Sequence, residues 1–270
     1  MHNKTEKLRI IKETLQSLDS VLVAYSGGVD STFLLRLCQD VLGEKVLAVT
    51  AKSPTYPSSE LNNALKLAKS LSVRHRIIES KELKNPDFIT NPPERCYYCK
   101  LELFGLLREI AREEGLRNIV DGSNYDDLSD YRPGTRAAAE FGVRHPLQEA
   151  KLTKEDIRLL SREMGLSNWD KPSQACLASR FPYGNPITQE TLIIVEEAEN
   201  FLHSLGIGQL RVRCYNNTAR IEVEPQDMHL LLEEGNRHHI LNRLRELGYL
   251  HITVDLAGYR SGSLNEGLVT

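Results

Sequence analysis

Three short segments near the N-terminus constrain this chain more than anything else in it. Val21-Leu22-Val23-Ala24-Tyr25 is a continuous apolar run, Ser26-Gly27-Gly28-Val29-Asp30-Ser31 follows at once, and Thr32 to Leu42 reads as a helix closed by Gly43. An apolar run without alternation suits a strand buried on both faces of a parallel sheet. A strand that passes through a glycine turn straight into a helix is the first half of a βαβ unit. The pattern then recurs. Val46 to Thr50 reads as a second strand, 58–71 as a helix and Val73 to Ile78 as a third strand. Residues 99–114 read as a helix stopped by Gly115, and Asn118 to Asp121 as a fourth strand. With an amphipathic helix over 4–18 (Leu8, Ile11, Leu15, Leu18) ahead of it, this alternation predicts an α/β fold with a doubly wound, mostly parallel sheet, Rossmann-like in outline.

The rest of the chain changes character. Thr153 is placed to cap a helix, with Asp156 in the acidic position of a capping box and Gly165 at its end. Residues 166–186 carry Pro172, Pro182, Gly184 and Pro186 without periodicity and read as a loop, long enough to suggest a functional one. A helix over 188–205 follows. Leu210 to Tyr215 and Ala219 to Val223 then form a hairpin around Asn216-Asn217, Pro225 opens a helical stretch, and Leu250 to Leu256 is a last strand. The 270 residues thus divide into an expected nucleotide-binding domain, 1–185, and a smaller C-terminal α+β domain, 186–270.

Composition narrows the function. Lys and Arg number 34 against 37 Asp and Glu, a formal charge of −3. That argues against a broad nucleic-acid track but leaves room for a local basic patch. No stretch approaches the ~20 apolar residues of a spanning helix, and Met1 to Ile11 lacks the apolar centre of a signal peptide. A cytoplasmic location and no membrane partner are expected. Five cysteines are too few for a disulfide scaffold, so each is core filler, metal ligand or reactive group.

The glycine loop sits where open α/β sheets bind ligands, at a strand's carboxyl end. Glycines admit an anion close to the backbone, and the helix N-terminus offers unpaired N–H groups. Ser26 and Ser31 add hydroxyls, and Asp30 could hold magnesium against phosphates. The loop is neither a Walker loop nor a dinucleotide fingerprint. It resembles the pyrophosphate-binding loop of the PP-loop ATPases, which cleave ATP to AMP and pyrophosphate. By that resemblance Ser26, Gly27, Gly28, Asp30 and Ser31 hold the pyrophosphate and its magnesium.

Further segments are similar to one branch, the LarE family. They are Asp121-Gly122-Ser123-Asn124 with Asp126-Asp127, Asp130-Tyr131-Arg132-Pro133-Gly134, Ser179-Arg180-Phe181-Pro182-Tyr183-Gly184 and Gly258-Tyr259-Arg260-Ser261-Gly262. The resemblance runs from about residue 20 to residue 265. It implies an ATP-dependent sulfur transferase of nickel-pincer nucleotide cofactor synthesis, with Asp121 and Gly122 also in the nucleotide site. The substrate would be a small nucleotide-like molecule, pyridinium-3,5-biscarboxylic acid mononucleotide. Adenylation makes its carboxylate oxygen a leaving group, and a sulfur nucleophile displaces AMP.

The cysteines separate into two groups. Cys38 and Cys214 read as core. Cys96 and Cys99, three apart and ahead of the expected helix, suit a dithiol redox pair, zinc or an iron–sulfur cluster. Cys176 lies in the long loop with no apolar face around it. The resemblance makes Cys176 the sulfur-bearing residue, sacrificed to dehydroalanine in members with a lone cysteine. Cys96 and Cys99 depart from that pattern. Three thiolates can ligate three irons of a [4Fe–4S] cluster, leaving the fourth for hydrosulfide from sulfide or another sulfur donor. Zinc is the alternative, but it wants four ligands, and His75 and His145 are distant in sequence.

Arg211 and Arg213 share a strand face, ~6.5 Å apart by strand geometry. With Arg180 and Arg260, the resemblance makes them the holders of the substrate phosphate. Read alone, the pair equally suits an exposed hairpin face opposite Arg220 and Glu222. Glu196, Glu197 and Glu199 read as a solvated face, His238-His239 as exposed, Trp169 as an anchor for the loop, and Lys52 as either near the nucleotide or exposed. A tRNA thiolase would need a basic surface and an amide ligase an ammonia source. A nucleotide sensor without chemistry would leave three cysteines without purpose. Homo-oligomerisation is left open by the sequence.

Overall fold

A computed structural model describes residues 2–265 of the chain. The elements run α1 (His2–Leu18), β1 (Val21–Ala24), α2 (Val29–Leu42), β2 (Val46–Lys52), α3 (Ser58–Ser70), β3 (Arg74–Glu79), α4 (Pro86–Ile89), α5 (Arg95–Glu113) and β4 (Asn118–Asp121). Then come α6 (Gly134–Glu140), α7 (Pro146–Glu149), α8 (Lys154–Glu163), α9 (Gln189–Ser204), β5 (Leu210–Tyr215), β6 (Thr218–Val223), α10 (Met228–Leu232), α11 (Glu234–Glu246) and β7 (His251–Val254). Two compact units result: Met1–Asn85 with Glu94–Gln174, and Pro86–Pro93 with Ala175–Thr270.

The first unit holds a parallel sheet in the order β3-β2-β1-β4. Successive strand side chains point to opposite faces, and both faces are covered. Val21, Val23, Val46 and Ala48 pack with Ile11 and Leu15 of α1, Phe33 and Leu34 of α2 and Ile157 of α8. Leu22, Leu47 and Val49 pack on the other face with Phe104 and Leu107 of α5 and Ala137 of α6. That two-sided cover is why the strands read as unbroken apolar runs, each fully buried aliphatic side chain contributing about 1.5–3 kcal/mol. The expected doubly wound α/β fold is what forms. The capping box also forms: Thr153 Oγ1 accepts the Asp156 N–H while Asp156 accepts that of Thr153.

The second unit contains a three-stranded sheet, β5-β6-β7. Its hairpin turns at Asn216, which takes the left-handed φ of 53°, and β7 lies parallel to β6. Leu192, Val195, Ala198 and Leu202 of α9 are buried. The detached segment 86–93 is tied in by Asn91, whose side chain is buried and donates to the Pro182 carbonyl at 2.7 Å. The Asn91 carbonyl accepts from Gly184, and that of Ile89 from Ile187.

The start of α5 and the ends of β7 differ from the sequence reading. Helix α5 begins at Arg95, so Cys96 and Cys99 lie inside its first turns and not ahead of it. Pro92-Pro93 can stand directly before a helix, because the first-turn N–H groups need no partner within it. Strand β7 is shorter than the apolar pattern suggested, and Leu250 and Leu256 are exposed at its two ends. Among the described residues, no helix is long and apolar enough to cross a membrane.

Candidate active site

The glycine loop is braced from several sides of the first unit. Gly27 has φ +70°, and a Cβ there would stand 2.8 Å from Cα and Cβ of Ala64, so only glycine fits. Gly28 is the N-cap of α2. The Ser26 and Ser31 hydroxyls lie 3.1 Å apart, and Ser31 Oγ donates to the Gly28 carbonyl. Asn168 donates to the Gly27 carbonyl and to Thr32 Oγ1, and Tyr56 donates to the Ser26 carbonyl. The result is a rigid turn with a helix N-terminus behind it, which is what anion binding requires.

Asp30, in the first turn of α2, is already balanced by a cation. Lys154 Nζ reaches both its carboxylate oxygens, at 2.8 and 2.7 Å, and Asn124 Nδ2 approaches at 3.3 Å. Lys154 is the first residue of α8, and its own N–H donates to Asp126. Burial and the nearby Asp30 raise the Asp127 carboxyl pKa, against the Asn124 N–H and the Arg132 guanidinium 2.6 Å away.

β4 runs beside β1 with Asp121 opposite Ala24 in the register, so its carboxyl end lies next to the loop. Here too the backbone packs without room for a side chain. A Cβ on Gly122 would stand 2.8 Å from the Ser31 nitrogen. A parallel bridge between Val120 and Arg144 brings the following residue, His145, alongside Asp121. His145 Nδ1 and Asp121 Oδ1 are 2.7 Å apart. Burial opposes the charge on each, but their mutual attraction outweighs it, so Asp121 is held below and His145 above its ordinary pKa. A cavity of about 270 Å³ opens at this point, lined by Cys96, Lys100, Asp121, Ser123, Arg132 and His145 among others.

All five cysteines are thiols. Cys38 and Cys214 are buried, Cys96 is exposed, and Cys99 and Cys176 are half-buried. Burial raises the pKa of Cys38 and of Cys214, so both are poor nucleophiles, in keeping with core roles. Cys96 and Cys99, three apart on α5 of the first unit, share one side of a helix turn. Cys176 belongs to the second unit. Among the described residues, no group of three or more His, Cys, Asp or Glu is arranged to hold a metal ion.

Arg180, Arg211 and Arg213 of the second unit are buried, and the hairpin face that carries the last two is not exposed. Arg180 is 1% exposed and spends its fork on Glu199, at 2.9 and 2.8 Å, and on the carbonyls of Ala175 and Cys176. Arg213 pairs with Glu222 and donates to the Ser179 carbonyl and to Ser263 Oγ. Arg211 is buried, stacks over the Tyr259 ring, and has its pKa pushed down to about 10 by burial and by Arg180 and Arg213 nearby. Arg260 is half-buried. Two buried carboxylates face three buried guanidiniums, a local surplus of positive charge that an anion would relieve.

Glu199 corrects the reading of a solvated acidic face. It is buried and also accepts the Val212 N–H. Glu196 is half-buried and Glu197 pairs with Arg243, while His238, His239 and Lys52 are exposed. Trp169 is half-buried under Arg162. Sequence reasoning passed over Lys154 and Lys100, and named His145 only as a histidine too distant in sequence to complete a zinc site. Lys154 sits in a capped helix start, a position with a defined address, but its partner lies 124 residues away.

Comparison with known proteins places the chain among its relatives. Residues 5–86 match the NAD synthase family. The chain is 38% identical over 265 residues to the pyridinium-3,5-bisthiocarboxylic acid mononucleotide synthase of Lactiplantibacillus plantarum, covering 98% of this chain and 95% of that one. It is 43% identical over 262 residues to an uncharacterised protein of Synechocystis, covering 97% and 98%. One component of the glutamine-hydrolysing GMP synthase of Methanococcus maripaludis is 27% identical over 225 residues, 75% of this chain and 69% of its own.

Proposed function

Because the chain belongs to the LarE family of ATP-dependent sulfur transferases, built on the PP-loop ATPase fold, we propose that it converts a carboxylate of pyridinium-3,5-biscarboxylic acid mononucleotide to a thiocarboxylate, for the nickel-pincer nucleotide. It is an ATP-using enzyme of the pyridinium biscarboxylate pathway. The observation that carries the reading is the likeness to the synthase across 98% of the chain. A matching glycine loop alone would leave the acceptor open.

The chemistry has two displacements. The substrate carboxylate oxygen attacks the α-phosphorus of ATP, and pyrophosphate leaves. Hydrosulfide then attacks the acyl carbon, the C–O bond to AMP breaks, and the sulfur proton passes to solvent. Ser26, Gly27, Gly28 and Ser31, with the N–H groups that open α2, bind the departing pyrophosphate. Asp30 suits magnesium, which favours one or two carboxylates beside substrate phosphates and when bound would neutralise their charge. Lys154 supplies that countercharge to Asp30 when magnesium does not. Asp121 and Gly122 border the same loop. Charge building on the acyl oxygen needs N–H or cationic donors.

The substrate phosphate falls to Arg211, Arg213 and Arg260, whose planar forks match a phosphate. Arg180 joins them by charge, and by direct contact holds the carbonyl of Cys176, fixing that residue's backbone. For the sulfur, Cys96, Cys99 and Cys176 offer three sulfur donors of the kind that iron takes. The i, i+3 spacing on α5 fits two corners of a cluster. Cys96, Cys99 and Cys176 would hold a [4Fe–4S] cluster, which when bound would supply an iron for hydrosulfide, and Cys176 would then not be consumed. Sulfide or a sulfur-carrying partner would recharge it.

Anaerobic purification tests this. A brown protein with about four irons and matching acid-labile sulfide per chain is expected, together with pyrophosphate release that depends on the biscarboxylate nucleotide. A colourless, iron-free protein whose Cys176 becomes dehydroalanine after one turnover would replace the cluster with sacrificial donation.

A further inference from the structure

One built feature of the first unit takes no part in those two displacements: the pair of buried Asp121 with half-buried His145, and the cavity it lines. We infer that His145, held by Asp121, binds a carboxylate of the acyl substrate in that cavity. The inference rests on the substrate class proposed above and adds to it the residue that distinguishes an acid from its amide.

The cavity's position comes first. It lies at the carboxyl end of β4, whose last residue is in register with the last residue of β1, the strand that feeds the glycine loop. Gly122 leaves no space between β4 and Ser31. A group held there is therefore beside the loop that takes the pyrophosphate, on the opposite side of β1 from β2.

Orientation comes next. Nδ1 of His145 is engaged by Asp121 at 2.7 Å, and Asp121 is itself fixed by the Ser123 N–H at 3.0 Å. The other ring nitrogen makes no hydrogen bond among the described residues, and the ring is one wall of the cavity. An imidazole fixed at one nitrogen by a buried carboxylate presents the other as an aimed donor.

Charge is the third argument. Asp121 balances His145, and Arg132 is paired with Asp127 and Asp130. Asp127 and Asp130 stand outside the lining, where Lys100, Arg132 and His145 are set against Asp121 alone, so the lining itself is basic. Phe104 and Tyr131 supply apolar surface for an aromatic ring. A ring bearing a carboxylate meets complementary chemistry in each part. A neutral amide forfeits the charge-assisted bond.

Nicotinic acid mononucleotide and nicotinamide mononucleotide differ in that one group and serve as probes. Their binding to the full chain and to H145Q is measured by calorimetry, with ATP binding as the check on fold and loop. The full chain should prefer the acid by about tenfold, a difference of about 1.4 kcal/mol, and H145Q by no more than about twofold, with ATP affinity unchanged. Glutamine still offers an N–H to Asp121. Should H145Q lose ATP binding, D121N decides, since it keeps the ring but not its countercharge; an undiminished acid preference there overturns the inference. So does equal binding of acid and amide by the full chain, or an undiminished preference in H145Q. A chain that binds ATP but neither mononucleotide removes the pyridinium-mononucleotide substrate class, and this inference with it.

Discussion

Asp121 and His145 stabilise one another only while both are charged, and the pH limits follow from the direction of each shift. His145 is raised above its ordinary 6.5, so its contribution is complete below that value and is lost as pH rises through the higher folded value. Asp121 is lowered below its ordinary 3.8, so its contribution is complete above that value and is lost as pH falls through the lower folded one. The stability difference between the native chain and H145Q should therefore be greatest between about pH 4 and 6.5 and shrink on both sides. Urea unfolding across pH 3–9 (the measurement range) would read this; a flat difference would count against the pair. His145 was not legible in the sequence, because its partner is 24 residues away and only the bridge at Arg144 brings them together. Glu199 was legible but misread as solvated. It falls at helical spacing on the stripe of Leu192, Val195 and Leu202, an acid on a buried face that demanded a partner.

At the scale of elements, the strand–loop–helix junction carries the most information, and its glycines are not equivalent. Gly27 is left-handed and pressed on the backbone of Ala64, whereas Gly28 has an ordinary φ of −72° and a Cβ there would meet only Ser26 Oγ at 3.5 Å. G27A should thus destabilise the chain by about 1–3 kcal/mol, and G28A by less than about 1; chemical denaturation followed by circular dichroism compares them, and equal costs would contradict this packing. The junction could be read because strand, turn and helix are adjacent in sequence and each has its own pattern. The start of α5 could not, since two prolines look the same before a loop and before a helix. The arginine strand β5 gave its alternation correctly but hid its burial. Alternating Arg and Val looks like a half-exposed strand, and the carboxylates that admit the arginines to the interior come from α9 and β6.

Over the whole molecule, the chain leaves the first unit for eight residues, 86–93, before returning to it. Nothing in the composition marks this excursion, whose partners are nearly a hundred positions further on. Asn91 holds it by a left-handed φ of 55°, which asparagine tolerates, and by the bond to the Pro182 carbonyl. N91A should cost about 1–3 kcal/mol in equilibrium unfolding; a loss below about 0.5 kcal/mol would mean the segment is held by Phe88 packing and by the backbone bonds from Gly184 and Ile187. The excursion also sets a schedule for synthesis. Asn91 leaves the ribosome 91 residues ahead of Pro182, about 5–20 s at ordinary elongation rates. Through that interval the apolar Phe88-Ile89 stretch is without the residues that will cover it, a nascent-chain surface of the kind that chaperones shield.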